Sequence, residues 1–122
     1  MPQMIETMIK GITEANGAGY EFEYRQNYPP LFNEDTLTRL MEETGKEVLG
    51  AQNVVIIQKP TMGGEDIAYF QENIPGTFFI IGTLNPEKGA DKPLHSAQFN
   101  IDEDILYKAS AVIAASTLKY LE

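Results

Sequence analysis

The chain has no cysteine and a single histidine, and it carries nine lysines and arginines against eighteen acids. Without cysteine there is no disulfide scaffold, no thiolate zinc site and no cysteine nucleophile. A net charge of −9 argues against a nucleic-acid surface, because phosphate contacts need lysine and arginine. No apolar run approaches the ~20 residues of a membrane-spanning helix. The opening MPQMIETMIK has no basic region followed by an apolar core, so it does not read as a signal peptide. These absences fit a cytoplasmic chain that contacts neither nucleic acid nor membrane. What is present is ordinary for a folded domain: 122 residues with a hydrophobic fraction of 43%.

The apolar spacing assigns elements along the chain. Met4, Ile5, Met8, Ile9 and Ile12 recur every three or four residues and predict an amphipathic helix ended by NGAG at 16–19. YEFEYRQNY at 20–28 alternates strictly, with Tyr20, Phe22 and Tyr24 on one face, and predicts a strand buried on one side. Tyr28-Pro29-Pro30 breaks it. Asn33 is placed to cap a second helix, with Glu34 and Asp35 at its positive end and Leu37, Leu40, Met41 and Val48 as its stripe; Gly50 stops it, and Gly45 inside is an irregularity. NVVIIQ at 53–58 and GTFFIIGT at 76–83 are continuous apolar runs, as in strands covered on both faces. GGEDIAYFQEN between them reads as a crossover helix, giving a strand–helix–strand unit. The tail from Ile101 reads as a long helix with an acidic start, apolar around much of its circumference. The change of strand style near Pro29–Pro30 suggests two units, 1–29 and 30–122.

Two stretches could carry chemistry. Gly63-Gly64-Glu65-Asp66 precedes the apolar run of the crossover helix. A phosphate cradle is excluded, since the acids would oppose the anion and no Lys or Ser follows as a P-loop requires. Two readings stay open. One is a tight turn, with a glycine in a conformation other residues avoid, leading into a helix whose acids complement its dipole. In the other, Glu65 or Asp66 lines a polar site at the C-terminal edge of the sheet. His95, in KPLHSAQF, is either a surface or packed residue or a ligand; one imidazole is far short of a metal centre. Asp102, Glu103 and Tyr107 lie near it in sequence, where helix capping and a solvated face explain them as well.

The order of PTMGGEDIAYF, IPGTFFIIGTLNPEKG, PLHSAQFNIDED and the Ala-rich closing helix closely resembles the C-terminal part of the M20-type metal-dependent amidohydrolases. That family includes N-acyl-amino-acid, hippurate and indole-acetyl-amino-acid hydrolases. IKGITEANGAGYEFEYRQNYPPLFNED resembles the junction where the family's inserted lid returns to the catalytic domain. Ile67, where an aromatic is usual, and Ala97, where proline is usual, depart from the pattern.

The resemblance implies an α/β fold: the C-terminal part of a zinc-peptidase-like α/β/α catalytic domain at 30–122, preceded at 1–29 by the last helix and strand of an α+β lid or dimerisation domain. It implies amide hydrolysis of N-acyl amino acids at a divalent metal pair (zinc, manganese, cobalt or nickel), with an activated water and a glutamate base. On that basis His95 matches the family's last metal ligand. Gly63, Gly64, Glu65 and Asp66 match its substrate-pocket border. The family's other ligands and its general base belong to an N-terminal segment without a counterpart here. The chain is therefore expected to be a C-terminal fragment, inactive alone, that needs the rest of the parent or a second chain and tends to self-associate. The alternative is a non-catalytic binding or oligomerisation module.

Overall fold

The computed structural model describes residues 1–122 and contains four α-helices: α1 (Pro2–Ala15), α2 (Asp35–Leu49), α3 (Ile67–Gln71) and α4 (Leu106–Leu121). Short 3-10 turns occupy Ala51–Asn53, Pro86–Lys88 and Glu103–Ile105. The first, second and last helices stand where the periodicity predicts them. The crossover helix is much shorter than expected, with only five residues in α3.

The core lies where α2 crosses α4. Six of the 122 residues are buried, and Thr44 and Gly45 of α2 face Val112 and Ser116 of α4. Ser116 Oγ lies 3.4 Å from Met41 Sδ, and Lys119 forms an ion pair with Glu47 across the same seam. The irregular glycine of α2 belongs to this contact region: a Cβ on Gly45 would meet Val54 Cγ2 at 3.5 Å. Gly50 ends α2 at φ 89°, a conformation that side chains resist.

The start of α2 differs from expectation. Glu34, not Asn33, caps it by accepting the Leu37 N–H at 2.7 Å. Asn33 is engaged elsewhere. Its Nδ2 donates to the Phe78 carbonyl at 2.9 Å, and its Oδ1 accepts the Phe78 N–H at 2.7 Å. Glu34 N–H donates to Gly76 O at 2.9 Å beside it, and the hydroxyls of Thr38 and Thr77 meet at 3.1 Å.

No strand forms at 20–28, 53–58 or 76–83, which corrects three assignments of the sequence reading. A strand needs a neighbouring backbone about 4.8 Å away to exchange N–H and C=O bonds. None of the three segments has a ladder. Residues 76–83 have only isolated bonds: Glu34 N–H to Gly76 O, Asp102 N–H to Thr83 O, and the Asn33 carboxamide on the Phe78 backbone. The only bridge is the isolated antiparallel pair Asn85–Ala90. The run 53–58 consequently lies open, with Val55 82% exposed, whereas in 76–83 Ile80 is 63% exposed and Phe78, Phe79 and Ile81 are half-buried. The stripe of α1 is open as well: it buries no residue, and Met4, Met8 and Ile12 face outward.

Candidate functional site

His95 is the one residue other than glycine at positive φ, 66°. Ser96 N–H donates to Pro93 O at 3.2 Å, which closes a turn with Leu94 and His95 at its centre. A turn of this kind that places positive φ at its third position favours glycine or asparagine there. Histidine visits this region more readily than bulky or β-branched residues, but still at a cost. A second turn follows, with Phe99 N–H on Ser96 O at 3.0 Å. The imidazole is exposed.

The ends of the His95 loop are tied to one short segment. Asn85 and Ala90 exchange both backbone bonds, at 2.8 and 2.9 Å, around a turn that Gly89 completes at φ 72°. On the other side Asp102 N–H donates to Thr83 O at 3.1 Å. The Asp102 carboxylate accepts Lys88 Nζ at 2.7 Å and Asn85 Nδ2 at 2.7 Å, and also caps the following turn through the Asp104 N–H at 3.2 Å. Lys88 pairs with Asp104 too. The hydrogen bonds from Lys88 and then Asn85 hold the Asp102 carboxyl down from 3.8 to about 2. The bonds to Asp102 and Asp104 raise the Lys88 ammonium above its usual range. Sequence reading named Asp102 as a neighbour of His95 that helix capping explains as well, and it does cap. Its partners Asn85 and Lys88 carried no local signal.

The glycine pair behaves differently from expectation. Neither Gly63 nor Gly64 has positive φ, so the pair does not rest on a special backbone conformation. Gly64 is needed for a different reason: a Cβ there would stand 2.5 Å from Tyr28 Cδ2. The Tyr28 ring lies on this glycine and also meets the Tyr69 ring at 5.8 Å between centroids. Tyr69 OH donates to the Asn27 carbonyl. The Tyr28-Pro29-Pro30 junction is thus seated on the Gly63–Asp66 stretch. The side chains of Glu65 and Asp66 are exposed, and Asp66 makes no capping bond to α3.

One cleft, about 400 Å³, runs between Phe32–Glu34 and Gln71–Gly76. A smaller one, about 220 Å³, lies between Pro29–Pro30 and Ala68–Glu72. Neither is lined by residues 63–66 or by His95. No hydrogen bond links those two stretches.

The profile of peptidase family M20/M25/M40 matches residues 3–119. The chain belongs to this family. Within the M20 peptidases it is 37% identical over 116 residues to a Bacillus subtilis protein whose name gives it as an amidohydrolase (YhaA), covering 95% of this chain and 29% of the relative. It is 37% identical over 106 residues to IAA-amino acid hydrolase ILR1-like 6 of Arabidopsis thaliana, 85% of this chain and 23% of that one. It is 34% identical over 125 residues to N-acetylcysteine deacetylase of Bacillus subtilis, 98% and 31%. The chain spans under a third of the length of these curated relatives. No solved structure matches it significantly. M20 membership fits an α/β peptidase fold, although this chain forms helices and no strand. M20 peptidases are generally metal-dependent. The residues present do not make a metal centre, since no three His, Cys, Asp or Glu side chains converge. No helix is long and apolar enough to cross a membrane.

Proposed function

We propose that this chain supplies the His95-bearing, C-terminal share of an amidohydrolase site that cleaves N-acyl amino acids. Water adds across the amide C–N bond, and a carboxylic acid and a free amine leave. One observation carries the reading: the chain's single imidazole sits on a turn in a conformation that costs free energy, and such costs persist where surrounding structure and function require them. In this reading His95 is one ligand of a divalent metal centre. The other ligands and the base come from residues beyond these 122, either the rest of a parent protein or a second chain. The Gly63–Asp66 stretch, with Tyr28 seated on it, forms the pocket wall beside the lid junction. Zinc, manganese, cobalt or nickel is the set that the family resemblance implies, and of these zinc and nickel suit an imidazole ligand best. Alone, the chain hydrolyses nothing.

The test is His95→Asn in a full-length protein carrying this sequence. Asparagine tolerates the left-handed conformation but presents an amide in place of the imidazole. Acylase turnover and bound metal are measured in both proteins. Loss of both with an unchanged melting transition supports the reading; near-normal values of both in the variant exclude it.

A second reading is a non-catalytic association module, and the open Met4, Met8 and Ile12 face of α1 favours it. Sedimentation equilibrium read together with the His95→Asn assay separates the two. Under this second reading Met8→Glu abolishes association of the 122-residue chain, and full-length protein with His95→Asn keeps every function it has.

A further inference from the structure

The stretch 91–101 that carries His95 has no core of its own. None of its side chains is buried, and Leu94 and Phe99 are open to solvent. Its internal hydrogen bonds are all short-range: Lys92 Nζ to Asp91, Ser96 to Pro93, Phe99 to Ser96, Gln98 N–H to Ser96 Oγ, and Ile101 N–H to Asn100 Oδ1. None joins one limb of the loop to the other. A loop of this kind is placed by what holds its two ends together, because closing them removes most of its freedom.

Both ends meet on the segment Thr83–Asn85. The chain leaves from Ala90, which is buried and doubly bonded to the Asn85 backbone. It returns at Asp102, whose N–H is bonded to Thr83. The Asn85 side chain then reaches Asp102 Oδ2, and Lys88, from the turn between, reaches Oδ1. One carboxylate therefore gathers the outgoing and incoming limbs. Charge-assisted bonds of this length are the strong kind.

We propose that Asn85, Lys88 and Asp102 are positioning residues for His95: they close the 91–101 loop and so fix where the imidazole stands. Its importance to hydrolysis rests on the proposed reading of His95, but the coupling itself is a property of this chain and is tested without metal or turnover. A rival role for Asp102 is to cap α4 only, through the Asp104 N–H. The two roles act on different residues. Loss of a cap frays the start of α4, whereas loss of the clamp loosens the turns at Ser96 and Phe99.

The experiment uses the whole 122-residue chain, labelled with nitrogen-15, and follows amide hydrogen exchange at Ser96 and Phe99. The single histidine adds a unique ring signal. Asp102→Ala and Lys88→Gln are compared with Lys119→Gln, which removes only the α2–α4 ion pair. In the clamp, Asp102→Ala speeds exchange at both amides about tenfold and moves the imidazole signal toward that of free histidine. Lys88→Gln, which leaves the Asp102 cap intact, does the same to a smaller extent, while Val112–Ser116 stay protected in both. Lys119→Gln leaves the loop unchanged. Three results would overturn the proposal: loop exchange within twofold of wild type in Asp102→Ala, loss confined to the start of α4, or unprotected Ser96 and Phe99 in the wild-type chain. Uniform loss of protection in both clamp variants would overturn it too, since the cluster would then hold up the whole fold. Normal turnover by His95→Asn full-length protein, with the clamp effects intact, would instead count against the ligand reading alone.

Discussion

The Tyr28 ring lies on Gly64 so closely that a Cβ there would stand 2.5 Å from Cδ2. This contact joins the Tyr28-Pro29-Pro30 junction to the Gly63–Asp66 stretch and explains one glycine of the pair but not the other.

Gly64→Ala is therefore expected to destabilise the chain by about 1–3 kcal/mol, the usual range for overpacking. Gly63→Ala, with no neighbour closer than Thr61 Oγ1 at 3.8 Å and no positive φ, should be neutral or stabilising by about 0.4–1 kcal/mol. Urea unfolding of the two variants decides it. Equal losses from both would contradict the contact, as would a Gly64→Ala penalty that survives in a Tyr28→Ala background.

His95 should respond to substitution by backbone rather than by size. At φ 66° the left-handed conformation costs an ordinary side chain about 1–2 kcal/mol, so His95→Gly is expected to leave stability level or higher and His95→Val to lower it. Valine and glycine variants of equal stability would remove the turn as an explanation.

Acid should loosen the Asp102 cluster in a defined window. The folded carboxyl titrates near 2 against 3.8 when unfolded, so the unfolded chain binds more protons between these values. Its contribution is complete above about pH 4 and lost as pH falls through about 2. Glu34, held below its usual range by the Leu37 N–H, acts with the same sign. Lys88, raised by Asp102 and Asp104, contributes below pH 10.5 and is lost only as pH rises beyond it. Denaturant midpoints from pH 2 to 5 should rise with pH, and less steeply in Asp102→Asn. An identical slope in that variant would show that the carboxylate is not held in solution.

Thr44 is fully buried on α2, and its hydroxyl has no partner. A buried unpaired hydroxyl costs about 1–3 kcal/mol, and valine has nearly the same shape. Thr44→Val is expected to raise stability by roughly 1 kcal/mol, read as a higher urea midpoint with an unchanged slope. By contrast Val112→Ala, which empties the facing position on α4, should cost roughly 1–3 kcal/mol. A destabilised Thr44→Val would mean that the hydroxyl finds a partner.

The sequence by itself determined what depends on near neighbours. The positions of α1, α2 and α4 follow from apolar spacing and from Gly50, because helix hydrogen bonds span only four residues. Membership of the M20 peptidases was legible in the ordered motifs PTMGGEDIAYF, NPEKG and PLHS. The tertiary structure alone decided what depends on distant ones. Asn33 reads as the cap of α2, but Phe78 takes its amide, forty-five positions away, and Glu34 caps instead. The three apolar or alternating segments read as strands, yet a strand is a relation between two backbones, and here no second backbone forms a ladder with any of them. Gly64 looked like a turn residue and proved to be a seat for Tyr28. The positive φ of His95 and the carboxylate that gathers its loop have no local signature, since Lys88 and Asp102 stand fourteen positions apart. Local periodicity carries no information about which side chains meet once the chain has turned back on itself.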